Sequence, residues 1–223
     1  MPSLPLPPRL ADVLDPVEAG AVIDDDEWVA VEVRGAAHRD GGTLELDECR
    51  LVGVSLVGSV FERFRATDVL FEDCDLSGVV TDDADLLRVE LRGCRLRGLV
   101  LPQARLRDVR LVGGSLDEAS LRLASGSRVE ITGSSLRDAD LYGIELTESH
   151  LTGCDLTGAE LSAARLPGAR LHGSILDGVR GAEGLRGVVI DSAQVHPLAL
   201  RVLAALDIEI DIAIDIAIDD DAG

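Results

Sequence analysis

From Leu46 to Leu176 every fifth residue is Leu, Phe or Ile, and only Ala66, Thr81 and Gly126 break the rule. The 27 five-residue blocks from 44 to 178 follow one another without an insertion, and no charged residue stands at a block centre or two positions before it. Two of every five side chains must therefore point inward. Neither the helical period of 3.6 nor the strand period of 2 supplies that ratio. A chain that turns a corner every five residues does. Gly closes 13 of the blocks, where a turn of positive φ favours it. Four such sides make a rectangular coil of about 20 residues, and successive coils can stack through strand-like hydrogen bonds at roughly 4.8 Å.

The charges test the coil length independently, because residues one coil apart should lie directly above one another. Within 44–178, 15 pairs of opposite charge and 4 of like charge fall at a separation of 20, whereas at 15 the counts are 5 and 11. One column runs Glu45, Arg65, Asp85, Arg105 and resumes with Glu145 and Arg165; others pair Glu72 with Arg92, Asp75 with Arg95, and Glu90 with Arg110 and then Glu130. Exposed pairs of this kind contribute at most about 1 kcal/mol each, so they fix register. Stability is expected from the leucine stack, at roughly 1.5–3 kcal/mol per buried side chain before entropy is counted.

The successive blocks CDLSG, ADLLR, CRLRG, ADLYG, CDLTG, AELSA, ARLPG and ARLHG resemble the pentapeptide-repeat family, whose pattern is alanine, aspartate, leucine and two variable positions. The resemblance implies an all-β solenoid, a right-handed quadrilateral β-helix of about 7 coils, often dimeric through its C-terminal end and with no shared catalytic activity. Some family members resemble duplex DNA in shape and charge and bind DNA gyrase, conferring resistance to topoisomerase poisons.

Four segments follow from the pattern. Residues 1–43 form an N-terminal lead and cap: a Pro-rich start, then an alternating run around Trp28 that reads as a strand, with Trp28 suited to cover the open end of the core. Residues 44–178 are the solenoid. Residues 179–206 form a C-terminal cap whose apolar residues Val195, Leu198, Val202 and Leu206 recur at helical spacing and are the candidate dimer interface. Pro197 fits only the first turn of that helix. Residues 207–223 are an acidic Ile/Asp tail whose alternation, from Ile208 to Ile218, reads as a strand ended by Asp219, Asp220 and Asp221.

The chemistry expected of this chain lies on its surface. Nucleophilic catalysis needs a base beside a Cys or Ser, but His150 is placed outward and Cys154 inward. Cys49, Cys74, Cys94 and Cys154 all stand two residues before a block centre, as small core residues do. The histidines lack metal-ligand spacing, and a chain without Lys has no phosphate-cradling lysine loop. No catalytic, cofactor or metal residue is expected, and the chain reads as non-enzymatic. With a formal net charge of −20 it is not expected to bind nucleic acid through phosphates. No run of 18 apolar residues suggests a membrane span, and the N-terminus carries no secretion pattern, so a cytoplasmic location is expected.

The leading expectation is a protein-binding scaffold, with a gyrase-binding DNA mimic as the narrower alternative and a purely structural rod as the third. Seven arginines from Arg88 to Arg110 are answered by acids one coil away, whereas Asp138, Asp140, Glu145, Glu148, Asp155 and Glu160 form an arginine-free run and are the candidate acidic partner surface. Val60, Val80 and Val100 fall in an outward column, which the N-terminal segment is expected to cover.

Overall fold

The computed structural model describes residues 4–18, 27–35, 42–205 and 208. Its strands are β1 (Asp15–Glu18), β2 (Glu27–Val29), β3 (Val31–Arg34), β4 (Thr43–Asp47), β5 (Arg50–Val52), β6 (Val60–Phe61) and β7 (Arg63–Glu72). They continue with β8 (Val80–Thr81), β9 (Ala84–Arg92), β10 (Arg105–Val112), β11 (Ser125–Thr132), β12 (Glu145–Thr147) and β13 (His150–Thr152). Helix α1 spans Val195–Ala205.

All pairing is parallel, and from β4 onward the strands keep one register: Glu45 lies beside Arg65, Arg65 beside Asp85, Asp85 beside Arg105, and Arg105 beside Ser125. Each partner is 20 residues further on, as the charges predicted. The stretch 44–178 thus winds six full coils and part of a seventh. Two sides of each early coil merge into one long strand, such as β7, while the other two are held by isolated bridges from Ser55 to Asp75 to Arg95 and from Val80 to Val100 to Ser120.

The block centres and the positions two before them fill the interior. Leu44, Leu51, Leu136 and Leu171 are essentially inaccessible. The three exceptions to the leucine rule also remain inside the winding: Ala66 and Thr81 are fully buried, and Gly126 pairs with Leu106 and Leu146 in unbroken register. At Gly126 an added Cβ would stand 2.5 Å from the Leu106 carbonyl oxygen and 3.1 Å from Leu146 Cδ2. The main chain of Leu106 and the side chain of Leu146 thus approach the place a side chain would take.

One hydrogen bond recurs at several inward corners, although the Ser134 and Ser149 hydroxyls donate instead to the carbonyls of Thr132 and Thr147, two residues back. The Ser174 hydroxyl donates to the Leu151 carbonyl, and the thiols of Cys74, Cys94 and Cys154 donate to the carbonyls of Leu51, Phe71 and Ile131, each 23 residues back. Ser174 thus takes the same bonding role as these three cysteines.

The stack begins before the first leucine block. Strands β2 and β3 lie under β4 and β5 with an offset of 18 residues, so Trp28 falls in line with Leu46 and Val33 with Leu51. Trp28 is buried and closes that end of the core, and β1 adds one more strand beside β3. At the other end the Gln194 side chain donates 2.6 Å bonds to the carbonyls of Leu171 and Ser174 and accepts the Asp191 N–H at 2.9 Å. Leu171 is again 23 residues back, so Gln194 completes the corner bond where the repeat has ended. It also joins Asp191 in a capping box that leads through Ser192–Gln194 into α1. Leu206 and the Ile/Asp tail from Ile210 to Asp221, with the strand expected there, lie outside the described residues.

Candidate partner-binding surfaces

The outer columns are closely paired. All seven arginines between Arg88 and Arg110 meet an acid: Arg88 with Asp68, Arg92 with Glu90, Arg95 with Asp75, Arg97 with Glu118, Arg105 with Asp83 and Asp85, Arg107 with Asp85, and Arg110 with Glu130. The basic run along the chain is therefore no basic patch in space.

The predicted acidic residues do not share one face. Asp138 and Asp155 lie on the side centred on Leu136 and Leu156, Asp140 and Glu160 on the next, and Glu145 and Glu148 on a third. Four are ion-paired: Asp140 with Arg122 at 3.0 Å, Glu145 with Arg165 at 3.0 Å, Asp155 with Arg137 at 2.9 Å and Glu160 with Arg180 at 3.1 Å. Hydrogen bonds from Ser162 and then Arg180 lower the Glu160 pKa against the effect of burial, while burial would raise that of Asp155 and bonds from Thr157 and Arg137 lower it overall. Glu148 adds electrostatic support to Arg128. Arg122 also lies 4.4 Å from the Tyr142 ring centroid, so the Asp140 region presents a ring, a guanidinium and a carboxylate together.

At the C-terminal end the predicted apolar stripe divides. Leu198 is buried against the cap, whereas Val195 and Val202 are exposed. With Leu185, Val188, Ile190, Ala199 and Leu203 they line an apolar groove of about 410 Å³. Leu206, the fourth member of the predicted stripe, is outside the described residues.

Val60, Val80 and Val100 form the expected outward column: Val60 pairs with Val80 and Val80 with Val100. Val60 is half exposed and the other two partly so. The described N-terminal residues do not cover them. Residues 4–9 lie instead at the corner between the sides centred on Leu106 and Leu111, against Val89, Glu90, Arg110 and Glu130. The reason is bonding. The Leu6 N–H donates to Asp108 Oδ1 at 2.9 Å and the Arg9 N–H to Asp68 Oδ1 at 2.8 Å. The same carboxylates take two-pronged bonds from the arginine one coil on, Arg88 on Asp68 and Arg128 on Asp108, at 2.5–2.7 Å. Both acids are buried. Burial would raise the Asp68 pKa, but the bonds from Arg88 and Arg9 outweigh it; the bond from Arg128 chiefly holds that of Asp108 down.

All four cysteines are buried and free, and burial pushes the Cys49 and Cys154 thiols up. His150 accepts the Arg170 N–H on Nδ1 at 3.2 Å, and burial followed by the charge of Arg170 lowers its pKa. Among the described residues no three His, Cys, Asp or Glu side chains are grouped to hold a metal ion, and no helix is long and apolar enough to cross a membrane.

Residues 104–143 and 144–180 match the family model described as pentapeptide repeats, in eight copies. No curated protein matches the chain. Among solved structures, a trypsin-treated variant of QnrB1, a plasmid-mediated fluoroquinolone resistance protein, is 23% identical with a TM-score of 0.47, over 81% of this chain and 90% of that one. Full-length QnrB1 gives 21% identity and a TM-score of 0.45, over 84% and 94% of the two chains. HetL, a pentapeptide repeat protein involved in heterocyst differentiation regulation from the cyanobacterium Nostoc sp. Strain PCC 7120, gives 21% and 0.35, over 78% and 94%.

Proposed function

We propose, from the premise that the chain belongs to the pentapeptide-repeat family, that it is a non-enzymatic scaffold that binds another protein through the outer columns of its β-helix. One observation carries this reading: the 20-residue register holds outward side chains in straight columns and ties them by ion pairs from coil to coil. Columns at a spacing of roughly 4.8 Å form a preorganised surface, and preorganisation lowers the ordering cost of association. The surfaces we assign to partners are the valine column and the three sides that carry Asp138 with Asp155, Asp140 with Glu160, and Glu145 with Glu148. The groove around Val195, Leu198 and Val202 is assigned to self-association, since an apolar face of this kind calls for a cover.

Site-specific photo-crosslinkers at Val80, Asp155 and Val202 test this reading in cells. A scaffold gives discrete protein adducts, and failure at all three positions refutes it. For the dimer, light scattering of the intact chain is compared with a Val195→Glu, Val202→Glu variant. A fall from twice the chain mass to one chain mass supports the interface, and equal masses reject it.

The gyrase-binding reading has less support, and magnitudes show why. Duplex DNA carries one charge per roughly 1.7 Å of axis, so six full coils and three-quarters of a seventh, about 32 Å, would replace about 19 charges. Residues 44–178 carry 23 acids and 15 arginines, a net of −8. Titration against gyrase decides: unchanged supercoiling and unchanged drug-stabilised cleavage would remove this alternative.

A further inference from the structure

The N-terminal segment meets the solenoid in a geometric match. Leu6 and Arg9 are three residues apart, and the carboxylates they donate to, Asp108 and Asp68, are two coils apart. Three residues of polyproline II span about 9.3 Å and return to the same side of that helix. Two coils rise about 9.6 Å. Pro5, Pro7 and Pro8 fix φ for that conformation and have no N–H, so the donors at Leu6 and Arg9 stand one polyproline turn apart. The corner column supplies the complementary repeat. It runs Asp68, Arg88, Asp108, Arg128, with an acid on every second coil and each acid oriented by the arginine above it.

The occupant fits the register and leaves space. Leu4 is 66% and Leu6 48% exposed, and a cavity of about 180 Å³ remains between residues 4–8 and the wall formed by Val89, Glu90, Arg110 and Glu130. Residues 4–9 form a strap tied to the solenoid by two charge-assisted hydrogen bonds.

We propose that this corner is a recognition site for a proline-rich segment of another protein, and that residues 4–9 occupy it as an internal competitor. The site reads backbone N–H groups at three-residue spacing on a polyproline II segment, through the carboxylates of Asp68 and Asp108. A second copy of the chain is not the expected occupant, because its strap makes no contact that the tethered one lacks, and tethering gives the internal strap the higher effective concentration. A foreign segment gains by placing side chains in the unfilled cavity. The proposal rests on the scaffold reading and names one of its surfaces.

The test uses the full chain carrying Leu6→Pro and Arg9→Pro, which removes both donors and keeps the polyproline preference. The probe is an acetylated, fluorescently labelled peptide of residues 4–11, LPLPPRLA, followed by anisotropy. It should bind the variant at least tenfold more tightly than the unaltered chain, about 1.4 kcal/mol. A peptide with both donors replaced by Pro should not bind, and adding Asp68→Ala and Asp108→Ala to the protein should abolish binding of the first peptide. No binding to the released variant, or equal binding of the two peptides, overturns the proposal. Strap exchange between copies, seen as association of the unaltered chain that Leu6→Pro and Arg9→Pro abolish, also overturns it by making the occupant a second copy. Each failure leaves the scaffold reading to its own crosslinking test, whose positions lie away from this corner.

Discussion

Gly126 stands where the repeat asks for leucine, and restoring the repeat there should weaken the protein. Gly126→Ala has two favourable terms. One added methyl group is worth about 0.8 kcal/mol of burial, and the loss of glycine's freedom in the unfolded chain adds about 0.4–1 kcal/mol. Against them stands contact. The new Cβ would lie 2.5 Å from the Leu106 carbonyl oxygen and 3.0 Å from Leu106 Cβ. That oxygen belongs to β10, which is paired with β9 on one side and β11 on the other, so the main chain must move. Overpacking of a filled core costs about 1–3 kcal/mol, and main-chain contact places this site at the upper end. A net loss of about 1 kcal/mol is expected for Gly126→Ala. Gly126→Leu should lose more, because its side chain also enters the space held by Leu146. Urea unfolding followed by circular dichroism measures both. A higher midpoint for either variant at unchanged slope would show that the column can open, and would refute this account of the missing side chain.

Three further outcomes follow from the bonds at the ends, the corner and the interior. Gln194→Leu should strand the carbonyls of Leu171 and Ser174 and the Asp191 N–H, and at about 1–3 kcal/mol per buried group lower stability by about 3 kcal/mol; an unchanged melting temperature would show that water replaces it. Asp68 and Asp108 have folded pKa values below the unfolded carboxylate value, so the stability they contribute is present above about pH 4 and lost as pH falls through the folded values. The groups facing them are Arg9, Arg88 and Arg128. The protection of the Leu6 and Arg9 amides, taken relative to the intrinsic exchange rate at each pH, should therefore be high at neutral pH and fall in acid, with Leu6 unprotected at every pH in Asp108→Ala. Cys74 and Cys94 should react with a thiol reagent only as fast as the chain unfolds, and rapid labelling of the folded protein would contradict their burial.

The coil was legible because it is written twice, in an inward period of five and an outward period of 20. The sequence assigns Arg110 to Glu90 and Glu130, since straight stacking converts sequence separation into contact. The same reasoning fails where contact is not periodic. Nothing in LPLPPR marks Leu6 for Asp108, because the donor is a backbone N–H common to every residue except proline, and the partner is 102 residues away. The strap was therefore expected over the valine column and lies elsewhere. The 18-residue offset that places Trp28 under Leu46 was hidden for a related reason: the β2–β3 run has no leucine at five-residue spacing. In the acidic set, sequence order brought together residues that winding distributes over three sides. On α1, helical spacing grouped Leu198 with Val195 and Val202, and only the position of the cap shows that the first points inward while the other two face solvent.

A solenoid is ordinarily a one-dimensional stack in which each coil senses only its neighbours, so opening can start at an end and advance coil by coil. The strap changes that order. By bonding to Asp68 and Asp108 it joins coils that do not touch, and the chain between Arg9 and β1 ties both to the terminal strand. An opening that begins at β1 must therefore detach a segment reaching to the middle of the protein before it can spread. Hydrogen exchange should show this as one shared opening free energy for the amides from β4 to β10, giving way to a gradient along the axis once Leu6 and Arg9 are replaced by proline.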